Sequence, residues 1–239
     1  MSLPRLRLEN CSCEGGRWLL NSEQAHHLVR VRRCYTGSFA EGLLRGEKVE
    51  LKLICEGENV YAEEISRKRE EPAAVELHLL LGLLKNDQFD DALRFSAETG
   101  VHTIHLLDCE RSVPKYEGKK LDEKMNRWSK ILDEATKQAG SALPPKLSYP
   151  LPLKDFDFDA LPCERYAALL SSGTRDLRDI TVGSSAAVAI GPEGDWAPHE
   201  SALLLEKGFT AVSLGMRILR ASTAVAVSCG WFSLQAPKE

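Results

Sequence analysis

The chain has 239 residues, of which 43% are hydrophobic and 28% charged, and its formal net charge is −4. These proportions are typical of a globular protein with one large domain or two modest ones, and they exclude a disordered or collagen-like chain. They also exclude a global positive field, so nucleic-acid contacts must come from local basic clusters. The sequence has no apolar run of ~18 residues, no signal-peptide core and no CxxC pair, so we expect a cytoplasmic protein without membrane contact.

The first 70 residues show the pattern of short strands separated by turns. One helix is predicted at residues 22–33, with Asn21 or Ser22 as its N-cap. The predicted strands lie at residues 18–20, 38–44, 47–55 and 60–65. This arrangement predicts a small β-barrel or half-barrel.

The pattern changes after residues 66–72, which are highly charged, end in proline and are predicted to form a linker. Beyond it, apolar strands alternate with helices, which is typical of a parallel α/β sheet and defines a second domain at residues 73–239. The predicted strands are 75–84, 103–107, 166–170, 186–190 and 211–214, and the predicted helices are 87–99, 119–139, 199–207 and 222–234. Ligands of such sheets bind beyond the carboxyl ends of the strands.

Two glycine-bearing segments follow predicted strands of this sheet. They are Gly191-Pro192-Glu193-Gly194 and Leu214-Gly215. Either segment alone is equally typical of an ordinary strand-to-helix turn. The chain has neither GxGxxG nor GxxxxGK[ST], so the dinucleotide-binding and P-loop interpretations lack their anchors.

Taken together, these segments resemble the signature of the SPOUT methyltransferases. The closest resemblance is to the small-subunit rRNA uridine N3-methyltransferases of the RsmE type. It rests on residues 190–194, on Leu214-Gly215-x-Arg217-Ile218-Leu219-Arg220-x-x-Thr223-Ala224 and on weaker matches in the family's order. The resemblance implies a PUA-like β-barrel before a SPOUT domain with a C-terminal trefoil knot. It also implies S-adenosylmethionine as cofactor, a homodimer and no metal.

The resemblance further implies which residues form the site. Arg220 is the candidate residue for neutralising negative charge on the substrate, by contacting either a phosphate or the developing base anion. Glu193 is a candidate base, although we favour a role in holding its loop by hydrogen bonds. The residues implied for the cofactor are Leu170, Ser171, Gly191, Pro192, Glu193, Gly194, Leu214, Gly215, Ile218, Leu219, Thr223 and Ala224.

RNA contacts require cationic side chains. On the predicted helix at residues 22–33, His26, Arg30 and Arg33 recur on one face, which is equally typical of a solvated helix face. The resemblance favours RNA binding by this helix. The candidate RNA-binding residues are therefore Arg5, His26, His27, Arg30, Arg33 and Lys85.

The chain departs from the family pattern at Gln88, Ser141, Asp195 and Ser222. Arginine is usual at the first two positions, glycine at the third and glutamate at the fourth, so target identity is more in doubt than cofactor binding. We predict methylation of uridine N3 in small-subunit (16S) rRNA, free or in the subunit particle. The alternatives are another SPOUT enzyme acting on tRNA or a ribose hydroxyl, and a catalytically silent RNA-binding relative.

Overall fold

The computed structural model describes residues 3–9, 11–57, 59–171 and 173–235. The chain divides into two compact units. The first unit comprises Met1–Glu71 and Thr136–Leu143, and the second comprises Pro72–Ala135 and Pro144–Glu239. In the described part of the chain, every helix is too short or too polar to traverse a bilayer.

The first unit is built on a six-stranded sheet in the order β1-β4-β5-β6-β3-β2. Its pairings are antiparallel except for the parallel pair β1–β4. The edge strands β1 and β2 are not paired with each other in the described residues, so the predicted β-rich domain is a half-barrel. The strands are β1 (Arg5–Arg7), β2 (Ser12–Glu14), β3 (Arg17–Leu19), β4 (Phe39–Leu44), β5 (Glu47–Glu56) and β6 (Asn59–Arg69).

Alternation along β5 shows why this sheet has one buried face. Val49, Leu51 and Leu53 are fully buried, whereas the intervening Glu50 and Lys52 are exposed. Side chains two residues apart point to the same face of a strand, so each β5 apolar residue joins the core of the first unit.

The predicted linker is wrong over its first half, because β6 continues to Arg69. Residues Glu47 and Arg69 are paired across β5 and β6, so the charged segment belongs to the sheet. Arg67 contacts Glu47 at 3.0 Å and Glu64 at 2.8 Å. The pair with Glu47 crosses from β6 to β5, and charged residues on an exposed strand face form such pairs, so their density alone does not indicate a linker.

The helix of the first unit is shorter and less regular than predicted. It begins as α1 (Ser22–His26), and the Asn21 side chain accepts a 2.9 Å hydrogen bond from Gln24 N–H, which confirms the predicted cap. It then continues as a π-helical turn, His27–Val31. The helix ends there, and Arg33 adopts the left-handed conformation with φ 54°, so Arg33 is not part of the predicted helical stripe.

The second unit contains an eight-stranded parallel sheet in the order β10-β8-β7-β13-β11-β14-β12, with β9 paired to β8. This confirms the predicted parallel α/β architecture. The strands are β7 (Glu76–Gly82), β8 (Thr103–Asp108), β9 (Lys146–Leu147), β10 (Leu151–Pro152), β11 (Arg165–Ala168), β12 (Arg175–Asp176), β13 (Ser185–Ile190) and β14 (Thr210–Ser213). The helices are α2 (Asn86–Glu98), α3 (Gly118–Ala139), α4 (Pro198–Glu206) and α5 (Ala221–Ser233).

Helices and loops cover both faces of this sheet, which explains the continuous apolar run of β7. Leu79 and Leu81 pack on one face with Phe89 of α2, and Leu80 packs on the other face with Leu204 of α4. Phe232 of α5 is fully buried in the first of these two layers. A strand buried on both faces needs no polar alternation, so the sequence of β7 is apolar from Leu79 to Leu81.

Candidate active site

Three neighbouring strands of the second unit, β13, β11 and β14, end at one cavity of about 350 Å³. Their carboxyl ends meet at one edge because the strands are parallel and in register. The volume lies in the range of roughly 300–1,000 Å³ that is typical of small-molecule sites. The lining residues are 88, 168–170, 190–193, 195, 212–215, 217–221 and 224.

The cavity brings together most of the residues that the sequence assigned to a cofactor. Ser171, Gly194 and Thr223 are not among its lining residues. The lining residues that the sequence did assign are Leu170, Gly191, Pro192, Glu193, Leu214, Gly215, Ile218, Leu219 and Ala224. Both candidate catalytic residues, Glu193 and Arg220, also line it.

The loop after β13 is held by close packing of glycines against its neighbours. A Cβ on Gly191 would lie 3.1 Å from the buried indole of Trp196, and one on Gly82 would lie 2.8 Å from Pro192. Both distances are shorter than ordinary van der Waals contact. Gly191 is therefore required by the packing of its own loop, whether or not a ligand is bound.

Arg111 fixes the far side of the same loop. Its guanidinium donates hydrogen bonds to the carbonyls of Gly194 at 3.1 Å and Trp196 at 3.3 Å. A Cβ on Gly194 would lie 2.9 Å from Arg111 Cβ, so the missing side chain allows this approach. Gly194 therefore stabilises the loop through its packing against Arg111, outside the cavity.

Gly215 differs from these glycines because nothing fills the space beside it. Its φ is +111°, a conformation that L side chains rarely adopt, and apart from its chain neighbours no atom of the described residues lies within 4 Å of the position of its Cβ. Met216 and Ile218, which follow it, are highly exposed for apolar residues. The loop after β14 therefore offers backbone groups and open space on the cavity side.

Glu193 connects the loop after β13 to the start of α2. Its Oε1 accepts a 2.8 Å hydrogen bond from the backbone N–H of Lys85, the residue that precedes α2. The first N–H groups of a helix have no partner within the helix, and a negative charge there is favourable. This contact supports a structural role for the carboxylate.

Charges of both signs surround the cavity. Arg217 and Arg220 line it, and neither forms an ion pair with any described residue. Glu193 and Asp195 supply the opposing charges. Arg220 is exposed and directly precedes α5, and its carbonyl accepts a 2.8 Å hydrogen bond from Ala224 N–H.

Gln88 lines the cavity from α2, although the sequence singled it out only as a departure from the family pattern. Its side-chain Oε1 is buried and has no hydrogen-bond partner among the described residues. Buried acceptors are nearly always paired, so this oxygen needs a donor from outside the chain. A ligand with an N–H group in the cavity would supply it. Sequence spacing does not indicate this residue, because it lies about a hundred residues before both glycine loops along the chain and meets them only in the fold.

The candidate RNA-binding residues lie in both units. Arg5 belongs to the first unit, and its guanidinium pairs with Glu41 at 3.0 Å, which compensates its charge. His26, His27, Arg30 and Arg33 are exposed in the same unit. Lys85 is exposed in the second unit.

A family model for RNA methyltransferase domains matches residues 70–233. A methyltransferase from Legionella pneumophila, solved with bound S-adenosylmethionine, is 25% identical with a TM-score of 0.84, and the match covers 97% of each chain. The ribosomal RNA small subunit methyltransferase E of Neisseria gonorrhoeae has the same fold, with a TM-score of 0.82 at 24% identity over 97% of each chain. The fold and the matched family define the class of this protein: it is an RNA methyltransferase.

Curated relatives identify the family within this class. Ribosomal RNA small subunit methyltransferase E 2 of Borreliella burgdorferi is 30% identical over 232 residues, which cover 94% of this chain and 93% of the relative. Ribosomal RNA small subunit methyltransferase E of Synechocystis is 31% identical and covers 87% of this chain and 70% of the relative. The chain belongs to the ribosomal RNA small subunit methyltransferase E family.

Proposed function

We propose that this protein transfers a methyl group from S-adenosylmethionine to N3 of a uridine in small-subunit rRNA. The observation that carries the proposal is the cavity at the carboxyl ends of β13, β11 and β14, in a chain that belongs to an rRNA methyltransferase family. An rRNA target would also place the protein in the cytoplasm. The resemblance to SPOUT enzymes supports a trefoil knot in the second unit.

The residues of the cavity fit this cofactor. The open space beside Gly215 and the unpaired Oε1 of Gln88 favour a bound ligand that carries N–H donors. Backbone groups of Gly191, Leu214 and Leu219 would hold it, together with the apolar side chain of Ile218. When bound, the cofactor supplies an electrophilic methyl on a sulfonium.

The cationic residues then act on the base. Uracil N3 carries a proton at neutral pH and must lose it before or during attack on the methyl. Positive charge close to the ring favours the anion that forms, because an opposite charge stabilises the charged form. Arg220 and Arg217 line the cavity and have no carboxylate partner in the described chain, so their charge is available for this purpose. Arg220 is our candidate for the direct contact.

In this proposal, Glu193 keeps the wall of the cavity in place. Its carboxylate accepts the N–H of Lys85, so it links the loop after β13 to α2. Asp195 adds negative charge to the lining of the cavity, which disfavours an RNA phosphate close by.

The first unit supplies phosphate contacts. Arg30 and Arg33 are exposed, and no carboxylate of the described residues pairs with either. His26 and His27 lie beside them on the surface. Contacts of this kind position RNA without reading its sequence. Arg5 contributes less than the sequence suggested, because Glu41 compensates its charge.

We also propose a homodimer that uses the outer face of α5. Thr223, Val227, Gly230 and Leu234 recur at helical spacing, and Val227 and Leu234 are 41% and 84% exposed. Outside the backbone of its own helix, no atom of the described part of the chain lies within 4 Å of a Cβ built on Gly230, so this face can approach another helix closely. Phe232 cannot add to the interface, because it is fully buried in its own unit. Light scattering should give twice the mass of the chain, and Val227→Asp should lower it toward a monomer.

Calorimetric titration with S-adenosylmethionine distinguishes the proposed enzyme from the alternative of a catalytically silent RNA-binding protein. The full chain should bind about one equivalent, and Gly215→Val should weaken binding at least tenfold. If the folded protein does not bind the cofactor, the alternative of a catalytically silent RNA-binding protein is favoured. Methylation of tRNA or of a ribose hydroxyl would favour the other SPOUT enzymes.

A further inference from the structure

Three histidines and a glutamate gather at the edge of the second unit's sheet where its parallel strands begin. Glu76 and His78 lie two residues apart on β7, so they share one face of the strand. His102 directly precedes β8, and its backbone N–H donates to Leu77 O at 2.9 Å, which brings it beside them. His105 follows on β8. The cavity lies at the opposite edge, where the strands end, so methyl transfer does not use this cluster.

The distances within the cluster match those between the ligands of one metal ion. Glu76 Oε1 lies 3.3 Å from His78 Nε2 and 3.3 Å from His102 Nδ1. The three potential ligand atoms all lie within 4.8 Å of one another. In a tetrahedral zinc site with bonds of about 2.0–2.1 Å, neighbouring ligand atoms are about 3.3–3.4 Å apart. Two of the three separations therefore already have the length of a tetrahedron edge.

His105 orients His78 in the way that second-layer residues orient metal ligands. His78 Nδ1 lies 3.0 Å from His105 Nε2, and the His105 ring packs edge-on against Phe156. When His78 donates through Nδ1, its Nε2 keeps a lone pair that faces Glu76 Oε1. Two acceptors 3.3 Å apart repel each other unless a cation lies between them. Ligating histidines commonly bond their second nitrogen in this manner.

We propose that Glu76, His78 and His102 bind a zinc-like divalent cation. Two imidazoles and one carboxylate suit Zn²⁺, Ni²⁺ or Cu²⁺, whereas Mg²⁺ and Ca²⁺ prefer oxygen ligands alone. The side chains are 54%, 13% and 40% exposed in that order, so water can reach the fourth position. The ion would tie the beginning of β7 to the beginning of β8. Lys146 places a positive charge close to His102, which limits the affinity.

The opposite tautomer of His78 offers a metal-free alternative. In that arrangement His105 donates to His78 Nδ1, and His78 Nε2–H donates to Glu76. The same distances then describe hydrogen bonds that need no cation. Metal binding distinguishes the two arrangements directly.

The test uses the full chain, freed of metal by a chelator and then titrated with Zn²⁺ against a chromophoric competitor. We compare wild type with His78→Ala, His102→Ala and the control His199→Ala. The control removes an exposed histidine that also lies near a glutamate, Glu110, at 3.6 Å. One equivalent should bind to wild type and to the control, and the affinity of the other two variants should fall at least tenfold. Lys146→Ala should bind more tightly than wild type.

Cobalt substitution identifies the ligands, which matters because the chain has seven cysteines. Co²⁺ bound by this cluster should show visible absorption of a tetrahedral nitrogen and oxygen site, without near-ultraviolet thiolate bands. Thiolate bands, equal affinity in all variants or no binding by wild type would overturn the proposal. The wild-type titration decides the matter even where a variant fails to fold, and none of these outcomes depends on methyl transfer.

Discussion

Replacing Glu193 by glutamine or by alanine separates its two candidate roles. Glutamine keeps a side-chain oxygen for the 2.8 Å hydrogen bond from Lys85 N–H, but it cannot act as a base. Alanine removes the acceptor and the negative charge together. If the carboxylate holds the loop, the glutamine variant should keep most of its activity and the alanine variant should lose cofactor affinity.

The size of each effect follows from the hydrogen bond. A bond to a charged acceptor contributes about 1.5–3 kcal/mol, and one between neutral groups about 0.5–1.5 kcal/mol. Because Glu193 is exposed to water, the lower end of each range applies. At about 1.4 kcal/mol for each factor of ten, affinity for S-adenosylmethionine should fall about fivefold with glutamine and about tenfold with alanine. A general base would instead contribute about 10²–10⁴ to kcat.

Calorimetry gives the cofactor affinity of each variant, and incorporation of labelled methyl groups at saturating cofactor gives kcat. Asp195→Asn is the matched control, because it removes a second carboxylate from the same cavity. A loss of kcat of a hundredfold or more in Glu193→Gln, with unchanged cofactor affinity, would refute the loop-holding role and make Glu193 the base.

Three further predictions concern the glycine loops, the RNA surface and a buried thiol. Gly191→Val and Gly215→Val should each lower cofactor affinity at least tenfold, and each should lower Tm in a thermal scan, the first through its clash with Trp196 and the second through the positive φ of Gly215; unchanged affinity in both variants would contradict the assignment of these loops. Removing the charges of Arg30 and Arg33 should weaken cognate and unrelated RNA equally, and in filter binding the salt slope should fall by about one per lost contact. An unchanged slope would remove this surface from the RNA site. Burial raises the pKa of the Cys229 thiol to about 12, so Ellman's reagent should modify it only after unfolding.

The longer elements of the second unit could be predicted from the sequence because they are buried on both faces. The apolar runs that form β7 and β13 are long enough to identify strands. Their alternation with helices then indicates a parallel sheet. Strands such as β9 (Lys146–Leu147) and β12 (Arg175–Asp176) contain two residues each. A two-residue segment is too short to show an alternation of apolar and polar residues, so the sequence does not predict these strands.

The candidate site could be predicted only in part, because its glycines look alike in sequence. The need for Gly191 depends on Trp196, whose ring is brought against it only by the fold. The unpaired oxygen of Gln88 likewise depends on what surrounds it in the folded chain. The cluster joins Glu76 and His78 of β7 to His102, which precedes β8, so spacing along one segment does not indicate it.

The most direct test of the proposed reaction is to locate the methyl group that the protein transfers. The full chain is incubated with labelled S-adenosylmethionine and small ribosomal subunits that lack the modification. The rRNA is then digested to nucleosides, and the labelled product is identified by mass spectrometry. We predict 3-methyluridine in small-subunit rRNA, with a much lower yield from Arg220→Ala. Label on a ribose, label only in added tRNA, or no label from a protein that binds the cofactor would contradict the proposed reaction.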